Sequence, residues 1–222
     1  MNRGELRTLI GNLVEDPSQT RFTAAKYNDA IEKAQQQFAL DSKALYKDFP
    51  ITMVARTGGY SLPTDFMYEK MVTLNGVELS PITKAELQRR KGSSAWSSDT
   101  GTPKWFIVDP DEAKKTITLY PIPDSTDAGT AIVLTYYPVP ATLTADTSVP
   151  LNSSALMVQY HIGIAGYAAW LLMLYLTQTP EISQKRNDFI GMYSKAVNDA
   201  IQTFGNTKSA PLNFRVNNVR AR

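Results

Sequence analysis

One histidine, His161, is the first side chain to consider for chemistry, and it stands at the start of a long apolar stretch. A lone histidine on an apolar helix is usually a hydrogen-bonded core residue, because a histidine metal site needs further ligands. A Ser-His-Asp triad is assembled in space and not in sequence, but no G-x-S-x-G turn accompanies this histidine. We therefore predict a structural role for His161 and no catalytic residue in the chain.

The acidic run Asp109–Glu112 is the closest approach to a cation site. Its four residues, Asp-Pro-Asp-Glu, lack the glycine and the distant glutamate of a calcium loop. They stand between two predicted strands, where Asp and Pro form turns, so we predict a turn there. The sequence also has no cysteine, no P-loop and no dinucleotide-binding glycine motif. We therefore expect no metal, no cofactor and no enzymatic activity.

Basic and aromatic residues raise the question of nucleic acid. Arg89, Arg90 and Lys91 form a short basic cluster, and Trp105 and Phe106 follow a lysine. Single-strand binders combine basic grooves with stacking rings. Neighbouring side chains alternate along a strand, however, so one of the two rings is expected to face the core. Because the net charge is only +2, the chain suits transient, non-specific contact with DNA and not tight binding.

Positive charge is concentrated at the end of the chain. Gly205–Arg222 carries basic residues and no acid, which leaves the rest of the chain slightly acidic. Asparagines and Pro211 disfavour a regular helix there, while alternating apolar residues could anchor an extended strand. We predict an assembly arm, with a solvated terminal tail as the alternative. The residues predicted to contact its partner are Leu212, Phe214, Arg215, Val216, Val219, Arg220 and Arg222.

Helical periodicity marks the elements on both sides of a central block. The predicted helices lie near 23–47, 153–177 and 180–204. The second of these is apolar almost all round and is expected to be buried, and its apolar run is too short to span a bilayer. Thr23 is a predicted N-cap, and Thr179 followed by Pro180 marks the start of the last helix.

The central block, Pro50 to Pro150, contains short β-branched and aromatic runs bounded by Gly, Pro, Asn or Asp. This punctuation predicts a compact antiparallel sheet. Asn75-Gly76 predicts a type I′ hairpin, because both central residues of that turn need a positive φ. Thr83 and Glu86 have the spacing of a capping box, which opens a short helix through about Arg90. Trp96, in the loop that follows, is a candidate contact residue.

The order of these pieces, with helices on both sides of a strand block, resembles the head-to-tail adaptor (connector) proteins of tailed bacteriophages. The resemblance covers roughly residues 20–204. It implies an α+β fold with an extended C-terminal arm. The helical bundle would come from 1–49 and 151–204, the antiparallel β-rich insertion from 50–150, and the arm from 205–222.

The same resemblance implies a structural virion protein of the neck, made in the host cytoplasm and without a membrane partner. Its copies would form a ring, typically of twelve subunits, that docks on the portal protein, extends the DNA channel and receives the tail or the next neck protein. Trp96, Arg89 and Arg90 would then contact the tail or a neighbouring subunit. Two alternatives stay open, a tail-terminator or stopper ring of the same particle and a cellular nucleic-acid-associated scaffold.

Overall fold

The computed structural model describes residues 1–91, 98–109, 115–153 and 155–204. Their contacts divide into two compact units. The helical unit consists of Met1–Leu45 and of the chain from Pro140 onward, and the β unit is Tyr46–Val139. Helices and strands together make the fold α+β, which confirms the predicted class.

The described residues form helices and strands that we number in chain order. The helices are α1 (Arg3–Leu13), α2 (Ala24–Ser42), α3 (Lys84–Lys91), α4 (His161–Met173) and α5 (Pro180–Phe204). The strands are β1 (Lys47–Thr52), β2 (Gly59–Ser61), β3 (Phe66–Leu74), β4 (Val77–Glu78), β5 (Ser80–Pro81), β6 (Trp105–Asp109), β7 (Thr116–Tyr120) and β8 (Ala131–Pro138). Helix α3 belongs to the β unit and the other four helices to the helical unit.

Side chains cap the helices where the sequence predicts. The Thr23 side chain accepts a hydrogen bond from the backbone N–H of Lys26 at the start of α2. The Thr179 hydroxyl accepts one from Ile182 at the start of α5, over 3.3 Å. Each cap satisfies a backbone donor that the first turn of a helix leaves without an internal partner.

Helix α4 is the centre of the helical unit, where it packs against α1, α2 and α5. Two glycines let α5 approach closely. A Cβ atom at Gly163 would lie 2.3 Å from the Cβ of Ala196, and one at Gly166 would lie 3.0 Å from the carbonyl oxygen of Phe189. Any larger residue at Gly163 would therefore push the two helices apart. Among the described residues, no helix combines the length and the hydropathy that a membrane crossing requires.

Two predicted helices are shorter than expected. Helix α2 ends at Ser42 and not near 47, because Lys43 takes a left-handed conformation with φ 52°. The chain from Lys47 onward pairs with β8 instead. The helix predicted from 153 to 177 is α-helical only over His161–Met173, and 3₁₀ turns at Pro150–Ser153 and Ala155–Tyr160 precede it. An uninterrupted apolar pattern does not mark where a 3₁₀ turn becomes an α-helix.

The β unit contains two four-stranded sheets, ordered β1-β8-β3-β4 and β2-β7-β6-β5. Their facing sides share one core, to which β1, β3, β6, β7 and β8 all contribute. Helix α3 covers the other side of the second sheet through Leu87 and a small separate cluster. Asn75 and Gly76 have φ values of 52° and 78° and join β3 to β4, which confirms the predicted hairpin. Among these strands the pairing is antiparallel except between β5 and β6, which run parallel, and an isolated parallel bridge joins Thr100 to Ile122.

Candidate assembly surfaces

Two exposed apolar residues follow the carboxyl end of α4 and border a hollow of about 270 Å³ against α2. Leu174 and Tyr175 are 48% and 65% exposed, and we call these two residues the α4 knob. The guanidinium of Arg186 holds the turn that carries them, donating over 2.6 Å to the carbonyl of Met173 and over 3.2 Å to that of Leu176. The arginine thus satisfies carbonyl groups at the end of the helix and anchors the backbone of the knob.

A groove lies near the opposite end of α4, against the second half of α5. Its volume is about 480 Å³, and we call it the α5 groove. Its apolar surface comes from exposed Ile162 on α4 and half-buried Met192 on α5. Lys195 and Asp199 add one positive and one negative charge beside these two residues. The lining residues are Gln159, Tyr160, Ile162, Met192, Lys195, Ala196, Asp199 and Thr203.

The β unit has a groove of about 370 Å³ in which carboxylates stand at the rim. Glu69 and Glu86 line it, together with apolar residues that include Ile82 and Val108. Arg90 already donates to the carboxylate of Glu86 over 2.5 Å. This ion pair at i,i+4 within α3 offsets part of the acidic character of the groove.

The predicted contact residues Arg89 and Arg90 lie in the last turn of α3, and both are exposed. Lys91 follows them, and its ammonium lies 3.3 Å from the carboxylate of Asp99. Hydrogen bonding to the Tyr120 hydroxyl and to Asp99 raises the pKa of Lys91. Arg90 and Lys91 therefore carry local acidic partners, which weakens the case for a nucleic-acid groove here. Trp96 lies outside the described residues.

Both rings of the Trp105-Phe106 pair pack inside the β unit. Phe106 is buried in the core between the two sheets, as the alternation of strand residues predicts. Trp105 points to the other side of the sheet, with its ring centroid 5.8 Å from that of Tyr120. These rings are packing residues and not a stacking platform for bases.

Of the acidic run, Asp109 is the one residue that the structure describes. Asp109 ends β6, and its carboxylate accepts a hydrogen bond from Lys84 over 2.7 Å. Residues 110–112, and the whole of the predicted arm from Gly205 on, lie outside the described residues. Within the described residues no group of three His, Cys, Asp or Glu side chains is placed to hold a metal ion.

The model of the SU10 adaptor protein family matches residues 1–215. The chain belongs to this family. It is therefore a structural adaptor protein of a bacteriophage and a component of the virion. No curated protein matches it.

The lone histidine of this SU10 adaptor is fully buried in the helical unit. Its Nδ1 lies 3.0 Å from the backbone nitrogen of Met1. Burial, and then the positive charge at that nitrogen, lower the pKa of His161 to about 4. The imidazole is therefore neutral near pH 7. Its structural role stays a prediction, and its expected consequence is a dependence of stability on pH.

Three features of this adaptor escape sequence analysis. Gln35 of α2 is fully buried; its side chain donates to the carbonyl of Ala141 and accepts from the N–H of Leu151. The buried carboxylate of Asp16 accepts hydrogen bonds from the backbone N–H groups of Thr20, Arg21 and Phe22. Burial raises the pKa of Asp16, and these bonds together with one from the Tyr27 hydroxyl lower it by more, so the net change is downward.

The α4 knob and the α5 groove are the third feature. In the sequence, Leu174 and Tyr175 only continue an apolar run, and nothing in that run indicates that they leave the core. The sequence of α5 places Met192, Lys195 and Asp199 at helical spacing, which marks one face of the helix but not a groove.

Proposed function

We propose that this adaptor forms a ring, of twelve subunits, between the head and the tail of the virion. The ring docks on the portal protein, extends the DNA channel and receives the tail or the next neck protein. The observation that carries the proposal is the family match over residues 1–215, which includes both units and the first part of the predicted arm.

The amount of helix favours an adaptor over the tail-terminator alternative. A terminator or stopper ring would be smaller and mostly β, with less helix near its carboxyl end. Here α5 alone has 25 residues, and it packs along α4 in a unit with its own core. The cellular scaffold alternative has no support from the family match.

The arm carries the contact with the portal in this proposal. Leu212, Phe214 and Val216 alternate, so an extended backbone presents all three on one side, as in a segment that adds to a sheet edge or lies in a groove. Arg215, Arg220 and Arg222 then pair with carboxylates of the portal. Because ordering a segment costs several kcal/mol, the apolar anchors contribute more than any one charge. Val219 is a fourth anchor.

A truncation after Gly205 tests this function. The chain without residues 206–222 should keep the melting temperature of the parent and should fail to bind purified portal rings in a pull-down and by electron microscopy. Alanine at Leu212, Phe214 and Val216 together should weaken binding more than alanine at Arg215, Arg220 and Arg222. Normal docking by the truncated chain would refute the role of the arm. Binding by neither the parent nor the truncated chain would refute the adaptor position at the portal.

A further inference from the structure

We propose that the α4 knob of one copy inserts into the α5 groove of the next copy. The partner is thus a second copy of this chain, and the contact joins the helical units of neighbouring subunits. The inference rests on the proposed function in one respect, since it names the contact that would hold a ring together.

The first support is the shape and chemistry of the two surfaces. The knob presents one aliphatic and one aromatic side chain, both exposed, at the end of a helix. The groove offers about 480 Å³ lined by Ile162 and Met192. Exposed Val158 lies on the turn that leads into the same groove, which extends the apolar area. Burying the knob there removes apolar surface from water on both sides.

Charges beside the two surfaces are complementary. Lys26 of α2 lies over the Tyr175 ring, 5.0 Å from its centroid, and Asp29 follows one turn later. At the groove, Lys195 and Asp199 are also one turn apart. Among the described residues, neither Lys195 nor Asp199 forms an ion pair. Insertion of the knob can bring Lys26 to Asp199. Asp29 already pairs with Lys33 over 2.8 Å and would exchange that partner to reach Lys195.

The position of the two surfaces makes this contact head-to-tail. The knob lies at the carboxyl end of α4 and borders α2, and the groove lies near the amino end of α4 and borders α5. Helix α4 has 13 residues, so about 20 Å of helix separates its two ends. Two different patches that bind each other leave one of each free in every pair. Such heterologous contacts continue until rotation closes a ring.

The absence of cysteine from the sequence makes disulfide trapping a direct test. Thr177→Cys places a thiol next to the knob, and Gln159→Cys places one at the groove. Both positions are exposed, and both substitutions leave the apolar side chains of the two surfaces unchanged. The two single variants are mixed, oxidised, and separated on a non-reducing gel.

We expect the mixture to give a dimer of one chain of each kind, formed at least tenfold faster than dimers within either variant alone. A chain carrying both cysteines should give a ladder of higher oligomers. Adding Tyr175→Ser to the Thr177→Cys chain should remove most of the cross-linking. Val77→Cys, at the exposed hairpin of the β unit, replaces Gln159→Cys as the control for random collisions.

A charge exchange gives an independent measurement. Lys26→Glu should slow cross-linking roughly two- to fivefold, as expected for one exposed ion pair, and Asp199→Lys in the partner should restore the rate. Lys70→Glu in the β unit is the matched control and should leave the rate unchanged.

Three results would overturn the contact. The first is cross-linking at the rate of the Val77→Cys control. The second is preferential dimerisation of either single variant with itself, which indicates a two-fold symmetric contact. The third is cross-linking that appears only in chains truncated after Phe204, since the groove would then hold the tail of its own chain. The double-cysteine chain is also tested for portal docking, so a wrong contact with normal docking leaves the proposed function intact.

Discussion

The helical unit and the β unit hold their irregular segments in different ways. In the helical unit, the buried polar side chains of Asp16 and Gln35 each bind backbone groups of a connecting segment. In the β unit, the buried hydroxyls of Thr135 and Tyr136 bond to side chains, those of Asp48 and Asp65. A backbone segment between β1 and β2 is held by the half-buried Tyr60 hydroxyl, which bonds to Val54 and Thr57. Among the described residues, the fully buried polar side chains Asp16 and Gln35, which bind the backbone of connecting segments, thus belong to the helical unit.

The cause of this difference is the hydrogen bonding of the backbone. Neighbouring strands satisfy each other's backbone N–H and C=O groups, so a sheet needs few side-chain hydrogen bonds to hold its strands together. The backbone hydrogen bonds of a helix are made within that helix. An irregular segment that packs against helices must therefore pair its backbone groups with side chains. The helical unit should therefore be sensitive to single polar substitutions, and the β unit should distribute the same stabilisation over many backbone bonds.

The largest effect is expected in the helical core. Phe38 is fully buried and lies against Tyr160 and Tyr193, so Phe38→Ala should lower the free energy of unfolding by about 3–5 kcal/mol in urea titrations. Leu40→Ala, two residues on and 41% exposed, is the control and should change it by less than about 0.5 kcal/mol. Equal losses would contradict the packing of α2. Leu171, which the sequence predicts to be buried, is half-exposed, so Leu171→Ala should cost less than Leu172→Ala.

The comparison of polar groups is tested by Gln35→Ala against Thr135→Val. The first change removes the acceptor of the buried Leu151 N–H and one donor to the Ala141 carbonyl, and should cost about 2–3 kcal/mol. The second leaves only the exposed Asp48, which water can solvate, and should cost about 1 kcal/mol or less. Urea titration of both variants measures the two losses. If Thr135→Val proved the more destabilising, the contrast between the units would be wrong.

The buried histidine gives the helical unit a pH dependence of its own. Because the pKa of His161 is lowered to about 4 in the folded chain, the unfolded chain binds the proton first as the pH falls. The contribution of His161 to stability is therefore complete above pH 6.5 and is lost progressively toward pH 4, by on the order of 3 kcal/mol. His161→Gln should remove this slope in urea titrations between those pH values. If stability fell with pH just as steeply in the variant, the pH dependence would come from groups other than His161.

The smallest effect concerns a turn of the β unit. Gly76 has a φ of 78° with no atom near its missing side chain, so Gly76→Ala should cost about 1 kcal/mol from backbone strain alone. Gly59→Ala is the matched control, because its site is equally open and its backbone does not lie in the left-handed region. Thermal unfolding of both variants compares them. Equal melting temperatures would show that the hairpin conformation adds little to the stability of the β unit.

The parts of the fold that the sequence predicted depend on local chemistry. Asn75-Gly76 defines its own turn, and Thr179 defines its own helix start, because the requirement and the residue that meets it are neighbours. Gln35 could not be predicted, since its partners lie more than a hundred residues away in the chain. The parallel pairing of β5 with β6 also joins segments whose sequences carry no sign of each other. The candidate site was predicted least well, because exposure at the α4 knob depends on where neighbouring helices end.

The close glycine contact between α4 and α5 also has a mechanical consequence. Helix α5 has 25 residues, so it is a rod about 37 Å long with its carboxyl end at Phe204. A tilt of about 5° about its first turn would move that end by about 3 Å. Gly163 contacts this rod at Ala196, about 24 Å from its start. Because residue 163 has no side-chain methyl group, α5 can lie against α4 at this point. The position of Phe204 at the carboxyl end of α5 therefore depends on this glycine.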